Sequence, residues 1–329
     1  MGNNKILSKL KSWIKKIPFT IPIYYFLQYD LPFLFYSGPE VISIQGSKMH
    51  LDIHAPDPSL RMTFRAYVKN KVHEKVTTNI IKQILNENET YLDLGANIGY
   101  FSLLASKIVG PNGKVFAFEP EPRNFKFLTI NRGLNNYSQL TLVNKAASNI
   151  DGRTSLYICP YDTGHHTINQ NDGIKSYTTN IDYQPEKISS LEIETVTIDK
   201  FLGTNGVTKV DLIKMDVEGA ELLAFKGMGN TLKNINLKMI IEFFPLLIEK
   251  MKCSPLELLN MLMADYCFDI YEIADDYYSK RHVGKKILTK IEDPQNLMIR
   301  YKENTMFHVN LLLIKQGHPQ HDRYANLEL

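Results

Sequence analysis

The alternation of strands and helices between residues 90 and 243 is the feature that most limits the fold. Short runs rich in apolar residues predict strands at 90–94, 114–118, 140–144, 211–215 and 239–243. Amphipathic stretches at 100–108, 123–134 and 220–226 predict helices between them. Strands that alternate with helices form βαβ units, whose strands are parallel. We therefore predict an α/β, doubly wound domain with a mainly parallel sheet.

Further elements flank this alternation. Residues 41–53 predict a short hairpin that turns at Gln45 and Gly46, and residues 72–86 predict a helix that leads into the core. Strands at 153–159 and 191–198 flank a polar loop, and a helix is expected over 255–265. The last two strands, 268–273 and 309–315, are predicted to pair antiparallel at the sheet edge. The expected organisation is an N-terminal helical and hairpin extension (1–60), the main domain (61–315), and a polar, mobile tail (316–329).

The run Y-L-D-L-G-A-N-I-G-Y, residues 91–100, predicts a strand, a tight turn and the start of a helix. Gly95 and Gly99 allow positive φ and a close approach of the backbone to a ligand, and Asn97 tolerates the left-handed region better than most residues. A carboxylate at Asp93, before the first glycine, favours a ligand with an ammonium group over a pyrophosphate. A dinucleotide site would instead favour the pattern G-x-G-x-x-G.

Two acidic positions follow at the ends of other predicted strands. Glu119 in V-F-A-F-E-P is placed to bind both hydroxyls of a ribose, in NAD as well as in S-adenosylmethionine. In L-I-K-M-D-V-E-G-A-E, residues 212–221, alternation puts Lys214, Asp216 and Glu218 on one side of the strand end. Ligands of open α/β sheets bind at this carboxyl edge.

Four of these motifs, in their order, resemble the FkbM-type O-methyltransferases of the class I methyltransferase superfamily. They are D-L-G-A-N-I-G-Y-F-S, F-E-P, I-D-K-F-L and K-M-D-V-E-G-A-E-L-L-A-F-K-G, and the resemblance covers roughly residues 74–245. The K-M-D-V-E-G-A-E run is specific to that family, whereas the glycine turn is shared by the superfamily. The resemblance implies a seven-stranded sheet and methyl transfer from S-adenosylmethionine, usually to a hydroxyl.

The resemblance also implies which residues bind the cofactor. By match of motif, the methionine portion would be held by Asp93, Gly95, Asn97 and Gly99. The ribose would be held by Glu119, and the adenine would lie near Ala146. Glu74 aligns with an upstream acid of the family that also faces the cofactor.

A general base would take the proton of the acceptor hydroxyl. Asp216 is the first candidate and Glu218 the second. Glu242 at the end of the next strand and His165 or His166 in the polar loop are further candidates, since histidine titrates near neutrality. No metal-ligand set is predicted, although a divalent cation at Asp216 stays open. The acceptor itself, whether a sugar, a glycan intermediate, a lipid or a secondary metabolite, cannot be read from the motifs.

Composition excludes several classes of protein. A formal net charge of +3 is too small to predict a nucleic-acid partner. The three cysteines lack metal-site spacing and favour a reduced, cytoplasmic location. Two alternatives to a methyltransferase remain: a non-catalytic nucleoside-binding or scaffold protein, and an NAD-dependent oxidoreductase. The missing middle glycine and the 212–221 run disfavour the second alternative.

The N-terminal segment is the one part that indicates a membrane partner. Apolar residues including Ile6, Leu10 and Trp13 share a helical stripe over 3–17, with lysines opposite, as in a helix that lies in a membrane interface. A surface helix docked on its own domain has the same periodicity. Prolines interrupt the apolar run from 17 to 36, so we predict no spanning helix.

Vesicle sedimentation separates the two interpretations of this segment. Peripheral membrane contact through residues 1–36 predicts that the full chain sediments with anionic vesicles and that a chain lacking these residues does so several-fold less. Equal sedimentation of both chains would contradict membrane contact.

Overall fold

The computed structural model describes residues 34, 40–55, 58–69, 72–158, 166–168, 189–274, 287–304 and 307–327. In chain order, the strands and α-helices are Val41–Ile44 (β1), Ser47–His50 (β2), Pro58–Lys69 (α1), Lys75–Ile84 (α2), Thr90–Leu94 (β3), Tyr100–Val109 (α3), Lys114–Phe118 (β4), Pro122–Gly133 (α4), Leu140–Val143 (β5), Ala146–Ala147 (β6), Gly152–Tyr157 (β7), Ser190–Val196 (β8), Ile198–Thr204 (α5), Leu212–Met215 (β9), Glu221–Lys226 (α6), Lys238–Phe243 (β10), Pro245–Lys250 (α7), Pro255–Asn260 (α8), Phe268–Ile273 (β11), Leu288–Lys290 (β12), Gln295–Glu303 (α9), Val309–Lys315 (β13) and His321–Ala325 (α10). A 3₁₀ turn at Thr231–Lys233 and a π-helical turn at Met261–Asp265 complete the set.

An eight-stranded sheet forms the centre of the molecule, in the order β12-β11-β13-β10-β9-β3-β4-β5. The strands from β10 to β5 are parallel, and β13, β11 and β12 add antiparallel at one side. After β3, the chain adds β4 and then β5 on one side of that strand. It later adds β9 and then β10 on the other side. This reversal makes the carboxyl end of β3 a topological switch point, where open α/β sheets bind ligands.

Both faces of the sheet are covered, as expected for a doubly wound fold. Side chains alternate along β3, so that Tyr91 belongs to one hydrophobic cluster, whereas Leu92 and Leu94 belong to another. All five residues of β3 are buried. The predicted α/β class and its mainly parallel sheet are therefore confirmed.

The sheet differs from the sequence prediction at its antiparallel side. The seven expected strands are present, and Leu288–Lys290 adds an eighth through the pairing of Tyr271 with Lys290. The predicted antiparallel pair of the last two long strands is confirmed, but β12 rather than this pair forms the edge. Helix α9 also lies between the two strands, although no helix was expected there. Only three residues form β12, too few for a recognisable alternation.

The predicted hairpin forms and packs on the main domain. It turns at Gln45 and Gly46, as predicted. Both residues have positive φ. Asn131 and Asn135 of the α4 region accept hydrogen bonds at 2.7 Å from the backbone N–H groups of His50 and Lys48. The predicted boundary between an N-terminal extension and the main domain at residue 60 stays a prediction. The hairpin lies before that boundary, but it packs directly on the sheet domain.

The segment after β13 corrects the expectation of a mobile tail. Residues 321–325 form α10, and the ring of Tyr324 is 1% exposed. The Lys238 ammonium lies 5.0 Å from the centre of that ring and donates to the Ile84 carbonyl at 2.9 Å. The tail therefore packs at the end of the sheet where the parallel strands begin. Tyr324 and Leu327 are buried, and Ala325 packs against the same hydrophobic cluster, so these apolar contacts dock a segment of polar composition.

The N-terminal helix predicted over 3–17 lies outside the described residues. Within the ranges given above, no helix combines the length and the apolar character needed to cross a membrane.

Truncating the buried tail residue tests this docking. We expect Tyr324→Ala to lower the free energy of unfolding by roughly 3–5 kcal/mol, because it removes a fully buried aromatic ring. Urea denaturation measures the change. The control Asp322→Ala alters an exposed neighbour and should stay within about 0.5 kcal/mol. Equal, small effects of both variants would show that the tail does not contribute to the fold.

Candidate active site

A cleft of about 610 Å³ opens at the topological switch point. Its floor is built by residues at the carboxyl ends of β3, β4, β9 and β10, and its walls include residues of α1, β6 and the 166–168 segment. Ligand-binding clefts of small-molecule enzymes span roughly 300–1,000 Å³, so the volume suits a nucleoside-sized cofactor together with part of an acceptor.

The glycine turn after β3 forms one side of the cleft. Gly95, Asn97 and Gly99 all have positive φ, at 88°, 51° and 97°. A Cβ atom on Gly95 would lie 1.9 Å from the carbonyl oxygen of Asp216, so no other residue fits between the two turns. Gly95 and Asn97 line the cleft, whereas Gly99 caps α3 and packs against Leu128 behind it.

Glu119 lies beside this turn at the end of β4. One carboxylate oxygen accepts the backbone N–H of Asn97 at 2.8 Å, and the other accepts that of Glu121 at 2.9 Å. Burial raises the pKa of Glu119 to about 8, although both hydrogen bonds favour the ionised form. The side chain lines the cleft, where its remaining lone pairs can accept two hydroxyls.

Asp93 lies beneath the turn rather than among the residues that line the cleft. It is 1% exposed, and its carboxylate accepts a hydrogen bond from Ser102 Oγ at 2.5 Å. Burial raises the pKa of Asp93 to about 6, while the nearby Lys214 ammonium opposes this shift. The residue thus joins the strand end to α3 and faces the charged floor of the cleft.

Lys214, Asp216, Glu218 and Glu242 form the acidic floor. Asp216, Glu218 and Glu242 each offer an oxygen atom within 4.8 Å of the others, and Lys214 Nζ lies 3.2 Å from Asp216 Oδ2. Burial disfavours the Lys214 ammonium, but the surrounding carboxylates outweigh burial and raise its pKa. Burial and the charge of Asp216 raise the pKa of Glu242 well above its ordinary value.

The carboxylate oxygens of these three acids lie close enough together to serve as ligands of one divalent cation. The sequence predicted no such set, because Glu242 is distant from the other two in the chain. The Lys214 ammonium already compensates the charge of Asp216 from within the protein.

His166 and Ala146 complete the predicted site. His166 is buried in the cleft wall, and its neighbour Thr167 donates to the Glu218 carbonyl at 3.3 Å, which joins the polar loop to the acidic turn. His165 lies outside the described residues. Ala146, in β6, lines the cleft together with the apolar side chains of Phe118 and Leu156.

An aromatic wall beside Glu74 was not foreseen from the sequence. Tyr67 and Tyr100 stack with ring centres 5.5 Å apart, and His73 packs edge-on against both rings. His73 Nε2 lies 3.1 Å from Glu74 Oε1, while Asn310 Nδ2 donates to the other oxygen. The i, i+4, i+7 spacing of Leu60, Phe64 and Tyr67 was the signal that could have identified α1.

Comparison with known proteins supports the resemblance drawn from the motifs. The model of the methyltransferase FkbM domain matches residues 93–270, more than half of the chain. The chain is 25% identical over 178 residues to the hexuronic acid methyltransferase AglP of Haloferax volcanii, a match that covers 51% of this chain and 61% of that protein.

Two further relatives are named as methyltransferases. Methyltransferase sdnD of Sordaria araneosa is 27% identical, over 52% of this chain and 73% of that protein. The 2-O-methyltransferase NoeI of Sinorhizobium fredii is 26% identical, over 48% of this chain and 65% of that protein.

Among solved structures, an FkbM methyltransferase from Methylobacillus flagellatus aligns with 79% of this chain and 55% of its own, at 16% identity and a TM-score of 0.40. The family match confirms the resemblance, and with it S-adenosylmethionine as the cofactor. By its motifs, its fold and the extent of this match, the chain belongs to the FkbM methyltransferase family.

Proposed function

We propose that this chain transfers the methyl group of S-adenosylmethionine to a hydroxyl oxygen of a small-molecule or glycan acceptor. The observation that carries the proposal is the meeting of Glu119 and Asp216 in one cleft at the switch point of the sheet. Glu119 is placed to bind the ribose hydroxyls, and Asp216 is placed to accept a proton. The fold by itself does not require an acidic side chain at either position.

The described residues fit the proposed cofactor. Glu119 would hold the ribose hydroxyls, and the apolar surface of Ala146, Phe118 and Leu156 would take the adenine. Gly95 and Asn97 present backbone close to the methionine portion, and Glu74 is the further acid of the cleft lining that the family resemblance assigns to the cofactor. Asp93 and Gly99 would act from beneath, by fixing the turn and α3.

When bound, S-adenosylmethionine supplies an already activated methyl group on a sulfonium. The chain itself would mainly align the acceptor oxygen, which can supply up to ~7–11 kcal/mol in favourable cases. Asp216 would accept the hydroxyl proton at its carboxylate, next to the Lys214 ammonium at 3.2 Å. The raised pKa of Glu242 disfavours its ionised form and makes Asp216 the first candidate for the base. Glu218 and His166, which the hydrogen bond from Thr167 to the Glu218 carbonyl brings together, are the alternative candidates for this base.

The names of two relatives favour a sugar hydroxyl as the acceptor. One acts on a hexuronic acid and another is a 2-O-methyltransferase. Glycan intermediates, lipids and secondary metabolites belong to the same chemistry, because each offers a hydroxyl to the acidic floor.

Cofactor affinity should depend on the ionisation of Glu119. Its raised pKa means that the carboxyl is protonated below about pH 8 and that the ionised form, the better acceptor for two hydroxyls, appears above it. Calorimetric affinity for S-adenosylmethionine should therefore rise between about pH 6.5 and pH 9. Glu119→Gln should weaken binding ~10–100-fold at the higher pH and remove this rise. The exposed control Glu192→Gln should match the wild type; a Glu119→Gln variant of unchanged affinity would exclude the ribose contact.

Asp216→Asn tests the proposed base. We expect labelled-methyl transfer to an extract of the source organism to fall by about 10²–10⁴-fold, because an amide at this position cannot take the proton of the substrate hydroxyl. Cofactor affinity by calorimetry should change only a few-fold. Full activity of this variant would contradict the assignment. A wild-type chain that binds the cofactor but labels no compound would instead support the non-catalytic binding protein.

A further inference from the structure

We propose that Glu221, a buried acid next to the cleft, is a positioning residue for methyl transfer. Its carboxylate holds the turn after β9 in the shape that presents Asp216 to the acceptor hydroxyl. The inference rests on the proposed function, because it gives Glu221 an effect only through the proton that Asp216 would accept.

Glu221 is the first residue of α6, and it directly follows the turn that carries Asp216 and Glu218. It is 3% exposed. Among the described residues, the cleft lining includes Asp216, Glu218 and Ala220 but not Glu221. The acid therefore does not lie against a ligand, and any part that it takes in the reaction must pass through its neighbours.

The carboxylate of Glu221 reaches back into this turn. Its Oε1 atom accepts a hydrogen bond from the backbone N–H of Gly219 at 3.2 Å. Glu218 and Gly219 both have positive φ, at 53° and 95°, and positive φ is uncommon for a residue with a side chain, such as Glu218. The hydrogen bond thus ties the part of the turn with the least favourable backbone conformation to the start of α6.

The turn is enclosed on two sides, so a change in its shape reaches the proposed base. On one side, a Cβ atom on Gly219 would lie 2.8 Å from the carbonyl oxygen of Leu247 in α7. On the other side, the Asp216 N–H donates to the Leu94 carbonyl at 2.9 Å, and the Asp216 carbonyl oxygen fills the space beside Gly95. Because neighbouring backbone limits both ends, a relaxation in the middle of the turn would displace Asp216.

Stability alone does not account for an acid at this position. Burial raises the pKa of Glu221 to about 7, although the backbone N–H groups of Glu221 itself, Gly219 and Val217 favour the ionised form. Because the pKa is higher in the folded chain than in the unfolded chain, ionisation of Glu221 lowers stability as the pH rises from 4.5 through about 7. A local feature that costs the fold stability is typical of a residue that serves a functional site.

Two variants separate the hydrogen bond from the bulk of the side chain. Glu221→Met removes the acceptor but fills a similar volume, whereas Glu221→Gln keeps an oxygen that can accept the Gly219 N–H. The assay is labelled-methyl transfer by the full chain to an extract of the source organism, at about pH 8 and saturating S-adenosylmethionine. We expect Glu221→Met to lower the rate roughly 10–100-fold, because a small displacement of a reacting group is costly. Glu221→Gln should keep at least about a third of the wild-type rate.

Stability and cofactor binding should not follow this loss. In both variants, the calorimetric affinity for S-adenosylmethionine and the equilibrium constant for unfolding in urea should stay within about threefold of the wild type, because a costly buried charge is removed. The matched control is Glu257→Met. It removes an acid from the first turn of α8, which is as short as α6, but Glu257 is exposed and should behave as the wild type in all three measurements.

A double-mutant cycle tests whether Glu221 acts through Asp216. In the Asp216→Asn chain, the remaining transfer no longer depends on this base, so adding Glu221→Met should lower the rate less than about threefold further. A purely structural role predicts the same factor in both backgrounds.

The other outcomes overturn the proposal. A Glu221→Met chain as active as Glu257→Met would exclude a positioning role, and a Glu221→Gln chain as slow as Glu221→Met would exclude the hydrogen bond as its cause. Loss of folding, or a matching loss of cofactor affinity, in Glu221→Met would show that Glu221 serves the fold instead. A wild-type chain that binds no S-adenosylmethionine or labels no compound would refute the proposed function itself.

Discussion

The charge balance around Lys214 is the constraint on which the site depends. Its ammonium is buried, and the carboxylates of Asp93, Asp216, Glu74 and Glu242 surround it from four different parts of the chain. Burying a charge without partners is costly, so the lysine and the acids stabilise each other only when all are in place. The same balance keeps the Asp216 carboxylate 3.2 Å from an ammonium, while burial and the charge of Asp216 raise the pKa of Glu242 well above its ordinary value.

Two interlocking turns bring this cluster to the sheet edge. The turn after β3 and the turn after β9 both contain residues with positive φ, among them Gly95, Glu218 and Gly219. The Asp216 N–H donates to the Leu94 carbonyl at 2.9 Å, and the Asp216 carbonyl fills the space that a Cβ on Gly95 would need. Because each turn limits the shape of the other, the cofactor turn and the proposed base cannot shift independently.

The sequence predicted the parts of the site that local pattern determines. Strands β3 and β4 have the predicted bounds, and Glu119 and Asp216 lie in the cleft as expected, because a carboxyl-end position follows directly from strand periodicity. Contacts between distant segments could not be predicted in this way. The partnership of Glu242 with Asp216 depends on the register of β9 with β10, and the placement of Asp93 below the cleft depends on its hydrogen bond to Ser102. The docked tail was missed because its apolar residues are few and its contact with Lys238 joins segments that are distant in the sequence.

The residues that line the cleft lie partly inside and partly outside the segment that matches the family. Glu119, Asn97 and Ala146 lie within the segment that matches the family, residues 93–270. Asp216 and Glu242 on the floor lie within it too, whereas Tyr67, His73, Glu74 and His308 line the cleft from outside that segment. The acidic floor and the Glu119 side of the cleft therefore come from the segment that matches the family. The aromatic wall instead depends on the packing of Tyr67 in α1 against Tyr100 in α3, which joins a segment before the match to a helix within it.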